Sequence, residues 1–221
     1  MQFITFLLVM LIATLVLFTI TRLAADRLIH QHHAQKVDFF RHYPVQLGDI
    51  VFLGDSITDG ARWDELFPGL AVKNRGINGD TVEGVLFRLD EILSGKPAAI
   101  FLLIGTNDLP WYMYHSDTGI LETYDAVLKR IRAGSPQTRI FVQSILPRHR
   151  SYTRRIQTLN ARLEALAVNH GGSFINLYPH FADPTGQIKR AFSNDLLHLM
   201  GTGYARWVEV LKPHIDSLKT G

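Results

Sequence analysis

The 221-residue chain contains no cysteine, and its first 21 residues contain no Asp, Glu, Lys, Arg or His. The first absence excludes a disulfide scaffold but leaves the redox compartment open. Only 19% of the residues are charged, against roughly one quarter in an average soluble protein, while 47% are hydrophobic. Disordered and collagen-like classes are excluded on that balance. No Walker-type glycine-rich loop and no GxGxxG occurs, so no nucleotide cofactor is expected. Basic and aromatic residues do not interleave as they do in nucleic-acid modules, and the net charge of +3 is modest, so no nucleic-acid partner is expected.

What is present is unevenly spread. Residues 3–20 form an apolar run, interrupted by Thr5, Thr14 and Thr19. About 20 such residues in a helix span the roughly 30 Å hydrocarbon core of a bilayer. Threonine returns its hydroxyl to the backbone and does not spoil insertion. No Lys or Arg precedes the run, which is longer than the usual core of a signal peptide. Residues 1–22 therefore read as an uncleaved transmembrane anchor, with a cleaved signal peptide as the rival. A juxtamembrane helix or linker follows over 23–43, and the soluble domain over 44–221. Arg22, Arg27, Lys36 and Arg41 follow the run. By the positive-inside rule they put the domain on the cytoplasmic side, with the periplasmic or extracellular side as the alternative. His30, His32, His33 and His42 cluster there without regularly spaced carboxylate or cysteine ligands. No metal is expected, and the segment reads as a solvated, partly protonated helix beside anionic lipid.

In the soluble part, short apolar runs alternate with helical patterns. Residues 49–53 (DIVFL), 98–104, 139–145 and 173–177 read as buried strands, with 71–74 a weaker fifth. Residues 81–93, 120–131, 156–167 and 203–218 repeat apolar positions at helical spacing. Strands without polar alternation, separated by helices, predict a parallel sheet covered on both faces. The expected architecture is a three-layer α/β/α domain with its site at the carboxyl ends of the strands.

Those ends carry reactive residues. Ser56 follows the first strand in GDSITDG (54–60), where its hydroxyl is exposed and its N–H lies at a helix start; a capping serine is the plainer alternative. Asp195, three residues before His198, can fold back to orient that imidazole as a base. Gly79 in GINGDT (76–81) can bring a backbone N–H near a ligand, and Asn107 in GTND (105–108) can offer its amide; alone, either is an ordinary turn residue. Trp111, Tyr112 and Tyr114 follow the third block and are candidates for substrate binding, as acyl pocket or lid, with plain packing as the alternative. Arg148, Arg150, Arg154 and Arg155 could meet a phosphate head group, although a solvated helix start is the simpler reading.

GDSI, with Ile57 in place of the usual Leu, GINGDT, GTND and DLLH (195–198) stand in the order of the blocks of the SGNH (GDSL-type) hydrolases. The chain resembles that family over about 50–218. Within it, NRGINGDT, ILPR (145–148) and DLLHLMGTGYARW look most similar to the platelet-activating-factor acetylhydrolase α-subunit type. The resemblance implies a five-stranded parallel, flavodoxin-like sheet. It also implies Ser56 as nucleophile, His198 as base, Asp195 as its orienter, and Ser56, Gly79 and Asn107 as oxyanion donors, without cofactor or metal. The function expected is a membrane-anchored serine esterase acting on lipid or short-chain acyl esters. The alternatives are a glycan O-acetyl esterase and a catalytically inactive, membrane-tethered binding module.

Overall fold

The computed structural model describes residues 2–113 and 115–218, with the side chains of residues 25, 26 and 111 outside the description. Helix α1 (Gln2–His42) is one uninterrupted element that holds neither Pro nor Gly. By length and composition its apolar first half is sufficient to cross a membrane, and among the described residues none of that stretch is buried.

After α1 the chain winds a five-stranded parallel sheet, in order β2-β1-β3-β4-β5. The strands are β1 (Ile50–Gly54), β2 (Val72–Gly76), β3 (Ala99–Leu103), β4 (Arg139–Gln143) and β5 (Ser173–Ile175). Short helices α2 (Ser56–Asp59) and α3 (Trp63–Leu66) connect β1 to β2; α4 (Val82–Phe87) and α5 (Leu89–Leu93) connect β2 to β3. The longer α6 (Asp117–Gly134) and α7 (Thr153–Asn169) complete the next two crossovers, and α8 (Tyr178–Phe181) and α9 (Gly201–Asp216) close the chain.

Strand side chains alternate between two cores. Val51, Leu53, Ile100, Leu102, Ile140 and Val142 pack with α4–α7. Ile50, Phe52, Phe101 and Phe141 face the other way, onto Trp63 and the α9 residues Trp207 and Leu211. Rings dominate that second face: Phe52 stacks on Trp63 with centroids 3.7 Å apart, and Trp63 meets Trp207 edge-on at 5.0 Å. Apolar residues on both strand faces are what made the runs read as continuous.

The helix expected over 81–93 is broken. Arg88 leaves helical geometry (φ −100°, ψ 11°), and its guanidinium turns inward to Asp80 Oδ2 at 2.8 Å. It also donates to Gly54 O at 3.1 Å and Arg75 O at 2.8 Å. Pairing this buried cation with a carboxylate and two carbonyls outweighs one helical turn.

The juxtamembrane stretch also differs from a purely solvated helix. His30 and His42 are exposed, but His33 Nε2 lies 3.8 Å from Asp80 and His32 Nε2 lies 3.8 Å from Asp59. Lys36 pairs with Asp59, and Phe40 is 3% exposed beneath the Arg75 guanidinium at 4.5 Å. The last four turns of α1 are thus docked along the β2 edge.

Candidate active site

Strand β1 delivers Asp55 and Ser56 to the carboxyl edge of the sheet, where the strand order reverses between β1 and β3. Asp55, not Ser56, caps α2: its Oδ1 accepts from Ile57 N at 2.9 Å. The serine hydroxyl is therefore not consumed as a cap, and Ser56 Oγ lies 3.0 Å from His198 Nε2. The turn sits tight against the sheet because residue 54 is glycine. A Cβ there would come within 2.1 Å of Leu103 O and 2.4 Å of Thr58 Oγ1.

The loop before α9 folds around one carboxylate. Asp195 Oδ1 accepts from the N–H groups of Leu197 (2.9 Å) and His198 (2.8 Å), and Oδ2 lies 2.7 Å from His198 Nδ1. This wrap requires Leu196 to adopt φ 67°, a left-handed conformation costing roughly 1–2 kcal/mol for a residue with a side chain. Partial burial works against the charged form of Asp195. The hydrogen bonds from the His198 ring and the two backbone N–H groups outweigh it, holding the carboxyl well below the usual range. Both side chains are 48% exposed, so the site is open on this side.

The second and third blocks meet opposite. Ile77–Asp80 is a tight turn closed by Asp80 N to Ile77 O at 3.1 Å, with Gly79 at φ +76° in the position that demands glycine. That turn uses the Asp80 N–H and not the Gly79 N–H. Asn107 Nδ2 donates to Asp80 O at 2.9 Å, which ties the β3 loop to the glycine turn and leaves a second amide N–H on the same nitrogen. Asp108 is buried and accepts from Val82 N at 3.2 Å, with His115 Nδ1 at 3.0 Å. Burial raises its pKa despite those bonds.

Ser56, His198 and Asp195 are thus in one hydrogen-bonded row, and Gly79 and Asn107 are joined to each other through Asp80. Tyr112 is half-exposed beside the third block. The Trp111 side chain and Tyr114 lie outside the described residues. Of the four arginines, Arg148 donates to Thr106 O (2.8 Å), and Arg155 holds Asp117 (2.6 Å), His115 O (2.9 Å) and Leu109 O. These two brace the third block; Arg150 and Arg154 are exposed. Among the described residues no group of three His, Cys, Asp or Glu is placed to hold a metal ion.

Three supports had no reading in the sequence. Ser193 Oγ donates to Asp195 Oδ1 at 3.1 Å, and Tyr204 OH donates to Ile57 O at 2.9 Å, binding α9 to the serine turn. Arg88 is the third. Ser193 alone carried a signal, its place two residues before Asp195.

Asp55 is completely buried, and among the described residues its Oδ2 has no hydrogen-bond partner. Burial, with Asp80 and Asp108 nearby, pushes its carboxyl up to about 7. A raised carboxyl favours the folded state fully below its unfolded value near 4. That contribution is lost as pH rises through about 7. The slope is at most roughly 1.4 kcal/mol per pH unit in that window. Asp55→Asn keeps the cap and should flatten the fall in urea midpoint between pH 4 and 7. Parallel curves for the two proteins would place the proton elsewhere.

Comparison with known proteins gives consistent matches. The family model described as the GDSL-like lipase/acylhydrolase family matches residues 52–206. Platelet-activating factor acetylhydrolase IB subunit alpha2 of Rattus norvegicus is 31% identical over 196 residues, covering 82% of this chain and 80% of that protein. The alpha1 subunit of Pongo abelii is 30% identical over 167 residues, covering 71% of each. A solved structure from Streptococcus pneumonia, provisionally described as a platelet activating factor, has a TM-score of 0.81 at 28% identity. That match covers 90% of this chain and 99% of the other.

Proposed function

Since the chain belongs to the GDSL-like lipase/acylhydrolase family, and so is an ester-hydrolysing enzyme, we propose that it is a membrane-anchored serine esterase using Ser56, His198 and Asp195. The observation that carries this reading is the row Ser56 Oγ–His198 Nε2–His198 Nδ1–Asp195 at the carboxyl edge of the sheet. Asp195, kept ionised, accepts a hydrogen bond from His198 Nδ1–H, which holds the proton on Nδ1 and leaves the Nε2 lone pair facing the serine. Ser56 Oγ attacks the ester carbonyl as its proton passes to Nε2. The tetrahedral oxyanion is held by the N–H groups of Ser56 and Gly79 and the second amide N–H of Asn107. Collapse returns the proton from His198 to the departing alcohol. Water then attacks the acyl-enzyme, losing a proton to His198, and the acid is released with Ser56 restored.

A fluorophosphonate probe should label Ser56, and p-nitrophenyl acetate or butyrate should turn over. Failure of both would favour a tethered binding module. Asn107→Ala should lower kcat roughly 10²–10³-fold with KM little changed. A fall of less than about threefold in a protein of unchanged melting temperature would remove Asn107 from the oxyanion site.

The physiological ester is proposed from α1. A helix able to span a bilayer brings the domain to lipid, which favours a lysophospholipid or a short-acyl lipid ester. Faster release of acetate from an acetylated sugar than of fatty acid from lysophosphatidylcholine would turn the assignment to a glycan O-acetyl esterase.

A further inference from the structure

The contacts of α1 run in one direction along the sheet. Ile29 lies over Gly79, where a Cβ would sit 3.5 Å from Ile29 Cγ2. One turn on, His33 faces Asp80; then Lys36 pairs with Asp59, and Phe40 packs under Arg75. Past the helix, Val45 is buried against Gly95, at the turn that precedes β3. Gly79, Asp80 and Asp59 all follow the carboxyl ends of strands, whereas Gly95 precedes an amino end. Helix α1 therefore descends the β2 side from the carboxyl edge of the sheet to the amino edge. Its apolar half projects past the carboxyl edge, the one that carries Ser56 and His198.

Helix geometry sets the height. Ile29 is eight residues beyond Thr21, the last residue of the charge-free run, so it stands about 12 Å along the axis from that point. Head groups add roughly 5–8 Å on each side of the hydrocarbon core. The glycine turn is then held about 4–7 Å beyond the head-group layer, with the carboxyl edge of the sheet facing the bilayer. No Pro or Gly between Gln2 and His42 offers a hinge that would let the domain turn away.

We infer that the site opens onto the membrane surface and takes a lipid ester directly from the leaflet beside α1, one with a single long chain whose ester can be drawn just clear of the head groups. Drawing two long chains out together would expose twice the methylene surface to water. The inference rests on the proposal that the first half of α1 spans a membrane and that the site is an esterase.

Seven helix-forming residues inserted between Ala24 and Ala25 would turn the helix within about 20° of two full turns and raise the domain about 10 Å. Hydrolysis of lysophosphatidylcholine in phosphatidylcholine vesicles should fall at least tenfold, and that of p-nitrophenyl acetate in water should change less than twofold. Undiminished lysophosphatidylcholine hydrolysis overturns the inference, as does wild-type protein that cleaves the soluble ester but not the vesicle-borne one. Inactivity of the wild type on both esters would instead overturn the esterase reading. A second measurement needs no activity. Because the chain has no cysteine, Met200→Cys at the carboxyl edge and Leu47→Cys near the amino edge each give one labelling site, both exposed. In proteoliposomes, lipids with a nitroxide head group should quench a fluorophore at 200 and spare one at 47. Equal quenching at the two positions, or none at either, would overturn the orientation even if the insertion variant failed to fold.

Discussion

Replacing Ser56 by alanine lowers turnover of p-nitrophenyl acetate by about 10⁴-fold or more and leaves the melting temperature within a degree or two of wild type. The two halves of this expectation have separate grounds. The Ser56 hydroxyl is not the cap of α2, a role held by Asp55, and among the described residues its one hydrogen-bond partner is a half-exposed histidine. Little folding energy is lost with it. The chemical loss is large because the covalent route disappears, and the oxyanion donors can then assist only direct attack by water. His198→Ala should cost about as much, and the double variant no more than either single one, since the two groups act as a unit. Additive losses in the double variant, or retention of more than a few per cent of activity in Ser56→Ala, would sink the assignment.

Arg88→Met is expected to lower stability by about 3–5 kcal/mol, the cost of removing one partner from a buried ion pair. Arg88 and Asp80 side chains are 1% and 2% exposed. Without the guanidinium, the Asp80 carboxylate is stranded, and Gly54 O and Arg75 O each lose a donor. The loss should show as a drop of roughly 6–20 °C in melting temperature. The variant that folds should also be slower, because Asp80 O is the acceptor that fixes Asn107 and Gly79 is its neighbour. Asp80→Asn with Arg88→Met should recover part of the stability, since no lone charge then remains buried. A single variant within about 1 kcal/mol of wild type would mean that water replaces the arginine.

The proposed catalytic row was legible because its parts sit in short, ordered blocks, Ser56 at the end of β1 and Asp195 with His198 in the loop before α9. The sheet was legible because both faces of β1, β3 and β4 are apolar. What escaped is long-range and polar. Nothing around Arg88 distinguishes it from a surface arginine on a helix; its partners at 54, 75 and 80 decide its fate. Arg155 is the same case, read as a solvated helix start yet fastened to the third block. The docked stripe on α1 runs through Ile29, His33, Lys36 and Phe40 at helical spacing. Two of those four residues are polar, so hydrophobic periodicity passes over it.

The serine and the histidine are 142 residues apart in the chain. The helix that follows the histidine also holds the serine turn, through Tyr204 OH on Ile57 O and through Trp207 against Trp63. A chain synthesised from its amino end makes α1 and the serine turn well before α9. Until α9 leaves the ribosome and docks, the serine has neither its histidine partner nor its clamp. With Ser56 and His198 in the roles proposed above, hydrolysis would begin only as a late event of folding, when α9 docks.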